Sequence, residues 1–145
     1  MRDYARAKKT VRPSQLFFQI LKTLSFFSFS MSLSASAADF TWISAASTDW
    51  NTAANWNPAS VPGASDIAHV GTGVQTSLAI NAASVVSQLD FNGVLSYTVT
   101  NNNVFTIGAG GITNPVLVNQ AIINNGTLNL SEPSVANQVS ITDSG

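Results

Sequence analysis

The chain has 145 residues, no cysteine and a formal net charge of −1 at pH 7. All six basic residues lie within the first 22 positions, whereas six of the seven acids lie beyond them, so the two parts carry net charges of +5 and −6. The acidic part has no Lys or Arg to neutralise phosphates, which argues against nucleic acid and anionic membrane surfaces as partners. Without cysteine, disulfides and lipid attachment at a cysteine are excluded.

The amino-terminal part is typical of a secretory signal peptide. Its basic residues are followed by an apolar stretch and by the small residues 35–37, which match the cleavage pattern of such peptides. We expect residues 1–37 to be removed by cleavage after Ala37, with cleavage after Ala38 as the second choice. A transmembrane anchor is the alternative, but Lys22 interrupts the apolar stretch, and a spanning helix needs about 20 predominantly apolar residues.

The remaining residues form two zones of different composition. Residues 38–72 contain all three tryptophans, and residues 73–145 are rich in Val, Ile, Leu, Thr, Ser and Asn. In the second zone apolar residues recur in pairs two positions apart, as expected of half-buried strands, with Asn, Gly and Pro between them. The pairs are Leu78/Ile80, Leu89/Phe91, Tyr97/Val99, Phe105/Ile107, Val116/Val118, Leu128/Leu130 and Val139/Ile141. Short strands at this spacing predict an all-β chain.

Two architectures fit this pattern. An antiparallel β-sandwich would join neighbouring strands by hairpins, for which Asn92-Gly93 and Asn125-Gly126 are suitable dipeptides. A parallel β-solenoid would instead stack each strand on one a full turn later, and the last spacings predict about 22 residues per turn. Asn-rich turns would then form amide ladders from turn to turn. The spacing alone leaves both architectures open.

The tryptophan zone carries a recognisable series of short motifs. They are Trp42, Asp49-Trp50-Asn51, Asn55-Trp56, Val61-Pro62-Gly63 and Asp66, followed later by Asn125-Gly126-Thr127-Leu128. The series resembles the amino-terminal opening of bacterial surface proteins of the autotransporter-passenger type, which carry autotransporter-associated β-strand repeats. The resemblance covers roughly residues 40–130.

That resemblance implies a right-handed parallel β-helix displayed at the extracellular or outer-membrane surface of a bacterium, with an adhesive or structural role. Residues 38–72 would be its Trp-rich cap and residues 73–145 its first rungs. Expected partners are host or matrix glycans and surface proteins, and membrane contact is expected only through the signal peptide during export. Because no barrel-type strands follow the repeats, we expect the chain to be part of a longer protein.

The tryptophans Trp42, Trp50 and Trp56 have two interpretations. They can close the end of a coil, where an apolar core and unpaired strand edges would otherwise be exposed, and Pro58 and Pro62 suit that end because proline cannot donate to a ladder. Alternatively, they form a stacking platform for sugars in a secreted carbohydrate-binding β-sandwich. Packing is the preferred interpretation, and the sugar platform is the alternative ligand site.

No set of residues predicts catalysis, a metal or a cofactor. His69 is the only histidine and is interpreted as a strand residue, since no metal-ligand spacing surrounds it. A glycosidase would need two carboxylates across one bond, and Asp66 and Asp90 could approach each other on successive turns, but no other feature selects them. The glycine-rich run 108–111 lacks the lysine of a phosphate loop and is interpreted as a turn. We therefore expect a non-enzymatic protein, with a polysaccharide-degrading enzyme as the weakest alternative.

Overall fold

The computed structural model describes residues 36–131 and 135–144, and the predicted signal peptide lies almost entirely outside them. The regular structure of the described chain consists of β-strands, apart from one 3₁₀ turn at Ala53–Asn55. The strands are β1 (Asp39–Trp42), β2 (Trp56–Asn57), β3 (Ile67–Val70), β4 (Ser77–Ile80), β5 (Ser84–Phe91), β6 (Thr98–Asn101), β7 (Val104–Thr113), β8 (Gln120–Asn124), β9 (Thr127–Leu130) and β10 (Val139–Asp143). Among the described residues there is no helix long and apolar enough to cross a membrane.

The strands form two sheets of stacked parallel strands. Sheet A has the order β2-β1-β3-β5-β7-β9 and sheet B the order β10-β8-β6-β4. Every pairing is parallel except that of β1 with β2. From β3 onward, consecutive strands alternate between the sheets and pair in parallel with strands one turn away, so the chain is a β-solenoid of about four turns. The solenoid is confirmed and the antiparallel sandwich is wrong.

The length of one turn agrees with the spacing in the sequence. Ile67 pairs with Gln88, 21 positions later, and Thr98 pairs with Ala121, 23 positions later. The predicted 22 lies between these values. The last turn is shorter, because Gln120 pairs with Val139.

Strands β5 and β7 each turn a corner of the coil. Their register shifts after Val86, so that Val86 lies opposite Ile107 but Gln88 lies opposite Gly111. The additional residues of β7 are the glycine-rich run, which therefore forms an irregularity inside a strand and not the predicted turn. A Cβ atom at Gly110 would lie 2.6 Å from the Cβ atom of Gln88, so there is no room for a side chain at position 110.

The interior consists of columns of side chains, one from each turn. Inward positions two apart on each strand supply them, as the alternation predicted. One column runs Phe40, Ala68, Leu89 and Ile112, and a second runs Leu78, Val99 and Ile122; all of these are buried. The apolar columns form the continuous core that holds successive turns together.

Two local predictions were wrong. Val116 and Val118 lie in a loop with Leu117 at φ 54°, and the strand of this turn is β8, which begins at Gln120. Its inward residues include Gln120 and Asn124, so the apolar alternation marked the wrong segment. The Asn-Gly dipeptides lie at corners between parallel strands and make no hairpins.

The cap zone and the rungs share their sheets. Strand β1 covers the edge of β3, and Trp50 hydrogen-bonds to Ala79 on the edge of β4. The short β2 then covers β1, and Pro58 follows directly after it. The boundary at residue 72 thus separates two compositions but not two packed bodies.

Candidate functional site

The three tryptophans form one buried cluster. Trp42 and Trp56 have ring centroids 5.2 Å apart, and Trp50 and Trp56 have centroids 4.6 Å apart, both edge to face. Trp50 also packs against Phe105, with ring centroids 5.2 Å apart. The exposed fraction of each Trp side chain is 1 % or less. The rings therefore pack as the cap interpretation requires and present no face on which a sugar could stack.

Asn55 holds the loop that carries these rings. Its side-chain oxygen accepts hydrogen bonds from the backbone N–H groups of Ala46 and Ser47, at 2.7 and 2.9 Å. Its amide group donates to the backbone oxygen of Asp49 at 2.8 Å, and the indole of Trp56 donates to the backbone oxygen of Trp50 at 2.8 Å. The Asn-Trp motif of the sequence is thus a structural pair, in which the amide organises the loop and the ring fills the core.

A polar cluster crosses sheet A at the outward positions of four neighbouring strands. It contains Asp39 on β1, His69 on β3, Asp90 on β5 and Thr113 on β7. Nδ1 of His69 lies 2.8 Å from a carboxylate oxygen of Asp90, and Nε2 lies 3.1 Å from one of Asp39. Thr113 donates its hydroxyl hydrogen to the other oxygen of Asp90. We call these four residues the histidine cluster.

The histidine cluster favours a charged imidazole ring. Burial lowers the pKa of His69, but hydrogen bonds with Asp90 and Asp39 and the charges of these two residues outweigh that effect, so the pKa is raised above its ordinary value of 6.5. Asn92 places its side-chain amide 3.1 Å from Nδ1 and contributes no charge. The prediction of a strand position for His69 is confirmed, but its two acidic partners were missed.

Among the acids that the structure describes, Asp66 lies apart from this cluster. Asp66 precedes β3 and accepts hydrogen bonds from the backbone N–H groups of Gly63, at 2.8 Å, and Ala38, at 3.2 Å. Its backbone bonds to Ser87, so the predicted approach of Asp66 to Asp90 is wrong. Glu132 lies outside the described residues. Within the part of the chain that the structure describes, no group of three His, Cys, Asp or Glu residues is arranged to hold a metal ion.

The outward side chains on the four strands of sheet B carry no charge, and Asp49 lies at the edge of the sheet, where its backbone pairs with Ala79. These side chains alternate with buried ones on β4, β6 and β8 and follow the register of β8 on β10, so they point away from the core. They are Ser77, Ala79, Thr98, Thr100, Ala121, Ile123, Ser140 and Thr142. Together they place hydroxyl and methyl groups at the spacing of parallel strands, about 4.8 Å. We call this surface the hydroxyl face.

Repeat length was the signal that could have located the histidine cluster. His69, Asp90 and Thr113 are separated by 21 and 23 positions, which is one turn of the coil in each case. Aligning the sequence on its own repeat would have placed them side by side. Comparison of the chain with family models, with curated proteins and with solved structures found no match.

Proposed function

We propose that the chain is exported and serves, without catalysis, as an adhesive or structural segment at a bacterial surface. The observation that carries the proposal is a regular parallel coil in which the strands of sheet B present no charged side chain outward. Such a coil suits extended contact, because successive turns present their outward side chains in register along its length. A parallel coil is also the fold implied by the resemblance to autotransporter passengers, which supports this proposal without testing it.

We propose the hydroxyl face as the adhesive surface and neutral glycans of a host or matrix as its partner. The face can donate and accept hydrogen bonds through Ser and Thr, and its methyl groups can pack against sugar rings. The acidic segment beyond residue 22 contains no Lys or Arg, so it repels acidic partners. This role would leave the buried tryptophans to packing alone.

An adhesion assay tests this proposal. It uses the full chain expressed in an exporting bacterial host and purified in the form that the host produces. The T98D/T100D variant places two carboxylates in the centre of the hydroxyl face, where a partner would have to desolvate them. We expect binding to glycan-coated beads to fall about tenfold or more, a loss of at least ~1.4 kcal/mol.

The matched control is T106D/T127D, which adds two carboxylates on β7 and β9 in sheet A. It should bind as the unchanged chain does. Equal losses in both variants would show that added charge lowers binding wherever it is placed. If the unsubstituted chain binds neither glycans nor matrix proteins, the adhesive role is refuted. Circular dichroism confirms that each variant is folded.

The contact between Ala38 and Asp66 supports export with cleavage after Ala37. Cleavage there would convert the Ala38 nitrogen into an α-ammonium group, 3.2 Å from an oxygen of Asp66. The new charge would have a carboxylate partner already in place. Mass spectrometry of the exported product should give an amino terminus at Ala38; a terminus at Asp39, or an uncleaved chain, would contradict this expectation.

A further inference from the structure

The histidine cluster joins the first strand of the coil to the strands behind it. Asp39 is on β1, His69 on β3 and Asp90 on β5, and the ring of His69 lies between the two carboxylates. The exposed fractions of these side chains are 73 % for Asp39, 22 % for His69 and 13 % for Asp90. The contact with Asp39 is therefore the one that solvent can reach.

The protonation state of His69 decides how many of these contacts are hydrogen bonds. A charged imidazole donates from both nitrogens, so it can bind Asp90 and Asp39 together. A neutral ring donates from only one nitrogen, and the other then presents a lone pair to a carboxylate. Because Asp90 lies closer and is less exposed, we expect the neutral ring to keep its proton on Nδ1 and to lose the bond to Asp39. With a proton on Nδ1, the side-chain nitrogen of Asn92, which can only donate, has to turn away from this atom.

We propose that His69 is a pH-operated latch, which ties β1 to β3 and β5 when it is charged and releases Asp39 when it is neutral. No other side chain beyond Lys22 can become positively charged near neutral pH. Strand β1 carries the buried Phe40 and Trp42 and also holds β2. The latch thus controls how firmly the tryptophan zone closes the end of the coil.

The direction of the pH effect follows from the groups around the ring. The charged groups that face it are Asp39 from β1 and Asp90 from β5, whereas Asn92 and Thr113 are neutral. Their combined effect raises the pKa of His69 above 6.5 in the folded chain, despite burial. The stabilisation is therefore complete below pH 6.5 and is lost as the pH rises through the folded-state pKa.

An NMR titration of the full, processed chain tests the latch directly. The His69 ring should titrate above pH 6.5, and the D39N variant should lower its pKa. The control is D143N, which removes the same charge from β10, where Asp143 contacts Asn124. D143N should leave the titration of His69 unchanged.

Hydrogen exchange shows whether the latch acts on β1. Between pH 5.5 and 8.0, the protection of the β1 amides relative to those of β8 should fall about threefold or more in the unchanged chain. The fall should be clearly smaller in H69Q, in which the α-amino group of Ala38 still titrates beside Asp66 but the imidazole is gone. D39N serves as the second variant if H69Q does not fold. The proposal is overturned if the ratio of β1 to β8 protection does not change with pH in the unsubstituted chain, if it falls equally in H69Q, or if the pKa of His69 responds equally to D39N and D143N.

Discussion

At the scale of single residues, glycine has a different role here from the one its sequence context suggests. Asn92-Gly93 has the composition of a hairpin turn, which requires positive φ. In the structure Gly93 instead packs against the backbone of Gly71 in the preceding turn, and a Cβ atom at Gly93 would lie 2.0 Å from the backbone oxygen of Gly71. The glycine is required for close approach between turns, a contact that local sequence does not reveal.

Replacing Gly93 by alanine should therefore destabilise the coil. We expect G93A to reduce the free energy of unfolding by about 2 kcal/mol, since the obstructing atoms are backbone and cannot rotate away. Urea unfolding followed by circular dichroism measures the loss. The control is G63A, whose Cβ would contact Asp66 at an ordinary 3.4 Å and should change stability by less than about 0.5 kcal/mol. Equal effects of the two changes would contradict this explanation.

At the scale of elements, asparagine side chains link successive turns in two ladders. In the exposed ladder, Asn102 donates to Asn81 and Asn125 donates to Asn102, both at 2.9 Å. In the inner ladder, Asn101 donates to Asn124 at 2.8 Å, and Asn124 donates to Asp143 at 3.1 Å. The prediction of amide ladders is confirmed. The inner ladder replaces an apolar column by hydrogen-bonded polar groups, which explains why the apolar pattern failed at β8.

The two ladders should contribute unequally to stability. Asn101 is fully buried and also donates to the backbone oxygen of Thr127, so N101A would leave buried polar groups without partners and cost about 2 to 3 kcal/mol. Asn102 is exposed, and water can replace its partners in N102A, for a loss of about 0.5 kcal/mol. Thermal and urea unfolding measure the stability of both variants, so the same Asn-to-Ala change is compared at a buried and at an exposed position. A larger loss for N102A would show that burial does not govern the ladders.

At the scale of the whole molecule, the tryptophan zone and the rungs should unfold together. Strands β1 and β3 from the first zone lie in the same sheet as β5, and Trp50 contacts Phe105 in the core of the second zone. We therefore expect the urea transition seen by tryptophan fluorescence to coincide with that seen by far-UV circular dichroism. A fluorescence transition at lower urea would show that the cap unfolds first and that the compositional boundary at residue 72 is also a boundary of cooperativity.

The sequence by itself determined the strand-rich class, the charge asymmetry and the approximate turn length, because alternation and repeat spacing are local properties that do not depend on pairing. It also indicated that the tryptophans pack, since three large rings in a zone rich in Asn and Pro suit the end of a coil. Export was predicted from the basic and apolar leader, adhesion was implied by the resemblance to autotransporter passengers, and both stay predictions.

Only the tertiary structure decided between sandwich and solenoid, because the same short strands can pair with their sequence neighbours or with strands one turn away. Pairing one turn away set Asp39, His69 and Asp90 side by side, although 30 positions separate the first two along the chain and 21 the last two. It likewise brought Gly93 against Gly71 and Trp50 against Phe105. These contacts depend on the register between turns, which is a property of the whole coil and of no single segment.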